Sequence, residues 1–143
     1  MDNKTKYHTI SHIALSVIKE MYGDSAEWKG GNMDEERLRF DFALDHKMTD
    51  EEKAELVSKI NHYIDMDLPV VKEEMPLAKA REIGAHGTFD YGDVVSVYKI
   101  GDISLEICGG PHVNNTSELS HVKLVKEESI GKGIRRVKLV MED

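Results

Sequence analysis

The stretch Ile107-Cys108-Gly109-Gly110-Pro111-His112-Val113 holds a cysteine and a histidine four positions apart, separated by two glycines and a proline. Glycine admits backbone angles that other residues resist, so a thiolate and an imidazole are expected to turn toward one point here. Near the other end of the chain His8 and His12 also stand four apart, about one helical turn. Together the four residues are the ligand types and number that tetrahedral zinc prefers. The remaining sequence is then a scaffold that must bring the two ends of the chain together.

Working outward, His8 to Tyr22 has the pattern of a helix ending at Gly23. Ile10, Ile13, Ala14, Val17, Ile18 and Met21 form its apolar face. His8 and His12 fall on the opposite side of the wheel, beside Leu15 and Lys19, so neither is a core histidine. Ala26 to Asn32 is polar and glycine-rich and predicts a turn carrying Trp28. Arg37 to Phe42 alternates strictly and predicts a strand whose apolar face is Leu38, Phe40 and Phe42. Arg37, Arg39 and Asp41 take its other face, either as a solvated surface or as part of a site.

Thr49-Asp50-Glu51-Glu52 has the form of a capping box and predicts a helix running until Pro69. A strand is expected at Val70 to Met75, then a short helix from Leu77 to Ile83 opened by Pro76 and stopped by Gly84. Phe89 to Asp93 is expected to turn before a strand at Val94 to Ile100. Gly101-Asp102 predicts a tight hairpin into Ser104 to Cys108. Val122 to Glu127 and Ile134 to Met141 complete the strands. Asn114-Asn115-Thr116 fits a turn. Clustered strands with helices between them give an α+β fold with a mostly antiparallel sheet, in a single domain over residues 1–143.

Composition narrows the function. Charged residues make up 32% and hydrophobic ones 40% of the 143 residues, and the formal net charge is −8. That balance argues against a general nucleic-acid binder while leaving room for a local basic patch, and the ligand spacing argues against finger-type reading of DNA. No apolar run approaches the ~18 residues of a membrane span. One cysteine excludes an internal disulfide and, with no signal-peptide pattern at Met1-Asp2-Asn3, suggests a cytoplasmic protein. Neither a Walker-type phosphate loop nor a Gly-x-Ser-x-Gly element is present, and the ligand spacing is not that of a zinc finger. The strongest local excess of positive charge lies near the end, at Lys123, Lys126, Lys132, Arg135, Arg136 and Lys138. Gly131-Lys132-Gly133 offers backbone amides and a lysine to a phosphate.

With these residues assembled, the chain resembles the editing domains of alanyl-tRNA synthetase, in their short free-standing form. The resemblance runs through His8-Thr9-x-x-His12, Leu38 to Phe42 with Met48-Thr49, Gly84-Ala85, Tyr91-Gly92-Asp93, Leu105 to Val113, and Gly133 to Val137. It implies a hydrolase that removes serine or glycine from alanine tRNA, in trans, with Zn2+ held by His8, His12, Cys108 and His112. It also implies a substrate pocket at Thr9, Gly109, Gly110 and Pro111, and tRNA contacts at Lys132, Arg135 and Arg136, the arginine pair being either RNA contacts or structural. No protein general base stands out, which leaves the metal or the tRNA itself to activate water.

Three departures bear on specificity. Pro111 replaces a common threonine and matches the threonyl-tRNA synthetase relative, which makes serine on threonine tRNA an alternative substrate. Glu27 and Trp28 stand where glutamines are usual, and Thr116-Ser117-Glu118-Leu119-Ser120 replaces a Thr-Gly-Glu-Ile-Gly pattern. A module that binds tRNA or a synthetase around a structural zinc, without hydrolysis, is the second class of reading. A fragment of a full synthetase is the third.

Overall fold

The computed structural model describes residues 2–85 and 93–142. Its elements follow local chemistry closely. Helix α1 spans Asn3–Tyr22: Asp2 caps it by accepting the Thr5 amide at 2.8 Å, and Gly23, at a φ of 80°, ends it by returning its N–H to Lys19. The stripe Ile10, Ile13, Ala14, Val17 and Ile18 is wholly buried. Helix α2 spans Asp50–Asp65 and begins at the expected capping box, with Thr49 and Glu52 exchanging side-chain to backbone bonds. Caps of this kind stabilise by about 1 kcal/mol each.

Strands β1 (Trp28–Met33), β2 (Leu38–Ala43), β6 (Val122–Gly131) and β7 (Ile134–Met141) form one antiparallel sheet in the order β1-β2-β7-β6. Strands β3 (Val70–Pro76), β4 (Val94–Ile100) and β5 (Ser104–Ile107) form a second antiparallel sheet, covered on one face by the short helix α3 (Leu77–Glu82). The fold is thus α+β as expected, with its strands divided between two sheets. The turn expected over Phe89 to Asp93 falls almost wholly outside the described residues.

In the four-stranded sheet one expectation fails. Ala26 to Asn32 is not a polar turn: Trp28 onward forms the edge strand β1. The Trp28 ring stacks on Phe40 of β2, with centroids 4.8 Å apart and planes at 11°. A Cβ on Gly31 would come within 3.2 Å of that ring, so a small residue there lets the indole lie flat.

The main core lies between the four-stranded sheet and the two long helices, joining the α1 stripe to Leu38, Phe40, Phe42, Leu56, Ile60, Val137 and Leu139. Tyr7 fixes the start of α1 from inside. Its hydroxyl donates to the Glu36 carbonyl at 3.0 Å and accepts the Met141 amide at 2.8 Å. One face of α1 therefore packs on the sheet while the opposite face, bearing His8 and His12, turns toward the end of β5.

Candidate metal centre

The helical spacing of His8 and His12 places both imidazoles on one side of α1, and the loop after β5 brings Cys108 and His112 to meet them. One donor atom from each of the four residues lies within 4.8 Å of all the others. Tetrahedral zinc with bonds of ~2.0–2.3 Å would set its donors roughly 3.3–3.8 Å apart. Cys108 Sγ and His8 Nε2 are already 3.5 Å apart.

The hydrogen bonds fix which ring nitrogen is free. His8 Nδ1 donates to the Pro111 carbonyl at 3.0 Å, which leaves Nε2 as a lone-pair donor. Thr9 does the same for His112. Its hydroxyl donates to the Thr5 carbonyl and accepts the Val113 amide at 3.1 Å, so toward His112 Nδ1, also 3.1 Å away, it acts as an acceptor. His112 Nε2 is buried with no partner among the described residues. A buried, unpaired ring nitrogen, in a group whose donor atoms lie within 4.8 Å of one another, fits a metal.

Electrostatics agree with that donor set. Burial lowers the His12 pKa to about 4 and, with the neighbouring His12 and His8, lowers His112 to about 2; burial lowers His8 as well. All three rings are neutral at pH 7, as metal ligation requires. Burial raises the Cys108 thiol, and nearby Glu106 adds to this, so a bound cation would have to displace its proton.

The loop glycines serve the site differently from the expectation. Neither Gly109 nor Gly110 has a positive φ. A Cβ on Gly110 would instead run into the His8 ring, whereas one on Gly109 would meet nothing within 4 Å. Gly109 and Pro111 are exposed at the mouth of the cluster, while Thr9 is completely buried behind His112.

Three groups beside the cluster were not picked out from the sequence. Tyr98 on β4 sets its ring edge-on to His112 at 4.2 Å. Ser104 and Glu106 stand at alternate positions of β5, just before Cys108, and line a cavity of about 340 Å³, with Ser16 and Lys19 of α1 opposite. Ser104 and Glu106 are 7% and 8% exposed, and the Ser104 hydroxyl has no partner among the described residues. Burial raises the Glu106 carboxyl to about 7, opposed by Lys19. Polar residues at alternate buried positions of an otherwise apolar strand were the available signal.

The basic residues of the C-terminal hairpin lie apart from this cluster. Lys132 is exposed in the turn between β6 and β7. Arg135 faces the core side of the sheet and binds Glu127 through Nε (2.5 Å) and Nη2 (2.8 Å). Arg136 faces the other side and grips Asp41 at 2.8 and 3.1 Å. Both guanidiniums are held within the sheet.

Comparison with known proteins places this architecture. Residues 95–138 match the family model described as the threonyl and alanyl tRNA synthetase second additional domain. Over that segment the chain is similar to these second additional domains. It is 46% identical over 143 residues to an alanine–tRNA ligase of Treponema denticola, covering 99% of this chain and 24% of the relative. It is 46% identical over 141 residues to that of Borreliella burgdorferi (97% and 24%). Identity is 40% over 137 residues to that of Listeria monocytogenes (94% and 16%). The chain thus spans a quarter or less of the length of these curated relatives. No helix among the described residues is long and apolar enough to cross a membrane.

Proposed function

We propose that this chain hydrolyses the ester joining serine or glycine to the 3′ end of alanine tRNA, acting in trans at a zinc centre held by His8, His12, Cys108 and His112. The observation that carries this reading is the convergence of those four donors from two segments about a hundred residues apart, in a relative of alanine–tRNA ligases. Zinc bound there would supply a Lewis acid and lower the pKa of a nearby water. The protein's own part is positioning. Thr9 and the Pro111 carbonyl orient two of the imidazoles, and Gly109, Gly110 and Pro111 shape the entrance. The cavity lined by Ser104 and Glu106 offers a hydroxyl and a carboxylate to the hydroxyl and ammonium of the amino acid. In the reaction a water oxygen bonds to the ester carbon, the bond to the ribose oxygen breaks, and the tRNA leaves with its hydroxyl protonated.

Such a step is useful because a site built for alanine cannot strongly reject glycine, and it rejects a small added hydroxyl by only ~100-fold. A second site that hydrogen-bonds the serine hydroxyl discriminates better, since polar groups left unpaired are costly. One observation favours a second reading. Four protein donors complete a tetrahedron, as structural zinc sites do, which suits a tRNA-binding module without turnover.

The test is deacylation of Ser-tRNA(Ala), Gly-tRNA(Ala), Ala-tRNA(Ala) and Ser-tRNA(Thr) side by side. Fast loss of serine or glycine from alanine tRNA, with alanine spared, supports the proposal. Preference for Ser-tRNA(Thr) moves the substrate to the threonine branch and makes Pro111 its marker. No turnover with metal bound supports the binding module.

A further inference from the structure

Arg39, Lys138 and Lys126 stand directly opposite one another on the adjacent strands β2, β7 and β6. Strand alternation puts them on the face turned away from the helices, because Leu38, Phe40, Val137 and Leu139 take the buried face. Like charges in directly opposed positions are only ~4.5–5.5 Å apart at Cβ and destabilise a sheet. Arg39 and Lys138 have no ion pair among the described residues, and Lys126 has only an exposed one to Glu128 at 3.2 Å. The next rung shows the contrast: Asp41, Arg136 and Glu128 alternate in sign. Arg37, paired with Asp34 at 3.6 Å, and Lys123, opposite Val140, extend the cationic area. The acidic groups on this face, Asp34, Asp41 and Glu128, are already engaged in ion pairs.

A row of repelling cations, kept in a chain of net charge −8, is relieved by a polyanion. We propose that this outer sheet face, centred on Arg39, Lys138 and Lys126, binds the phosphate backbone of RNA. The proposal rests on tRNA being the partner and names a surface for it. Arg39 brings a planar fork suited to phosphate and the lysines bring point charges. No aromatic side chain shares the rung, so it tracks a backbone without stacking on bases. Because His8 and His12 lie on the far side of α1 from this sheet, the face meets a part of the tRNA other than its 3′ end.

The experiment compares the full chain with the triple variant Arg39→Ala, Lys126→Ala, Lys138→Ala. Binding of uncharged tRNA(Ala) is followed by fluorescence anisotropy across a salt series. Each cation contributes a slope of about 0.7–0.9 in the log–log plot, so the triple variant should lose a slope of about 2 and bind at least about tenfold more weakly. Its melting temperature should not fall, since repulsion has been removed. A control triple on the α2 side, Lys47→Ala, Lys53→Ala, Lys59→Ala, should bind within about twofold of wild type. Equal losses in the two triples, or no loss in the first, overturn the proposal. So does displacement of the tRNA by poly-glutamate as readily as by unlabelled tRNA, which would assign the face to acidic protein. The deacylation assay separates the two readings. A wild-type chain that binds through this face but hydrolyses nothing keeps the surface and loses the hydrolase. A triple variant that binds and turns over tRNA normally does the reverse.

Discussion

The Thr9 hydroxyl lies 3.1 Å from Nδ1 of His112, 103 positions further along the chain. The same oxygen accepts the Val113 amide and donates to the Thr5 carbonyl, so one buried side chain sets both the tautomer of a candidate metal ligand and the path of its loop. Thr9→Val keeps the shape and removes the hydroxyl. It should weaken zinc binding by about 10–100-fold and stability by about 1–3 kcal/mol, since the Val113 amide is left unpaired. Thr9→Ser should retain most of both. Competitive zinc titration and urea unfolding give the two readings; a Val variant that binds zinc normally would deny Thr9 this role.

The two loop glycines should respond in opposite ways. Gly110→Ala drives a methyl group into the His8 ring and should cost most of the metal affinity, because the ring must give way and lose its place in the cluster. Gly109→Ala, with open space around it, should bind metal as wild type does. Metal content of the two purified variants decides the matter.

Arg135 tests structure against RNA contact. Its carboxylate partner Glu127 has a side chain with no exposure, and Arg135 itself keeps 14%. Arg135→Ala strands a buried charge and should destabilise by about 3 kcal/mol, with much of the loss recovered when Glu127→Gln is added. The salt slope of tRNA binding should not move. Recovery of stability together with a lost slope would return Arg135 to the RNA interface.

A pH-dependent pair lies at the start of α2. Burial alone would raise Glu52, but hydrogen bonds from Tyr22, His46 and the Thr49 backbone bring it down to about 2 from 4.5. A depressed carboxyl contributes stability above its unfolded pKa and loses it as pH falls toward 2. His46 is raised above 6.5, first by Asp45 and then by Glu52, so its contribution is complete below 6.5 and fades as pH rises past the raised value. The two overlap between about pH 4.5 and 6.5. Glu52→Gln should therefore lower the melting temperature most near pH 5–6 and less toward pH 3 or once pH has risen past the raised His46 value. Melts across that range check the sign, and a gap that widens toward pH 3 would contradict it.

Much of this architecture was legible because its signals are local. The apolar stripe of α1, the Thr49 capping box and the alternation through Phe40 each depend on residues within one or two turns. The two pairs of candidate donors that the fold brings together were legible for a similar reason, since each pair sits within five residues. What the sequence hid depends on pairing. Lys29-Gly30-Gly31-Asn32 has turn composition, yet it is a strand because Trp28 finds Phe40 on the neighbouring strand. Arg135 looked like an available cation until the register of β6 and β7 set Glu127 beside it. Ser104 and Glu106 gained meaning only when Ser16 and Lys19 of α1 came to lie across the cavity from them.

The most direct test joins metal to turnover in one sample. Zinc content and the rate of Ser-tRNA(Ala) deacylation would be measured for the wild-type chain, for the chain after chelation, and for Cys108→Ala. One zinc per wild-type chain with rapid loss of serine is expected, with loss of both metal and turnover in the other two. Full deacylation by metal-free protein would contradict it, as would a zinc-loaded wild type that leaves the ester intact.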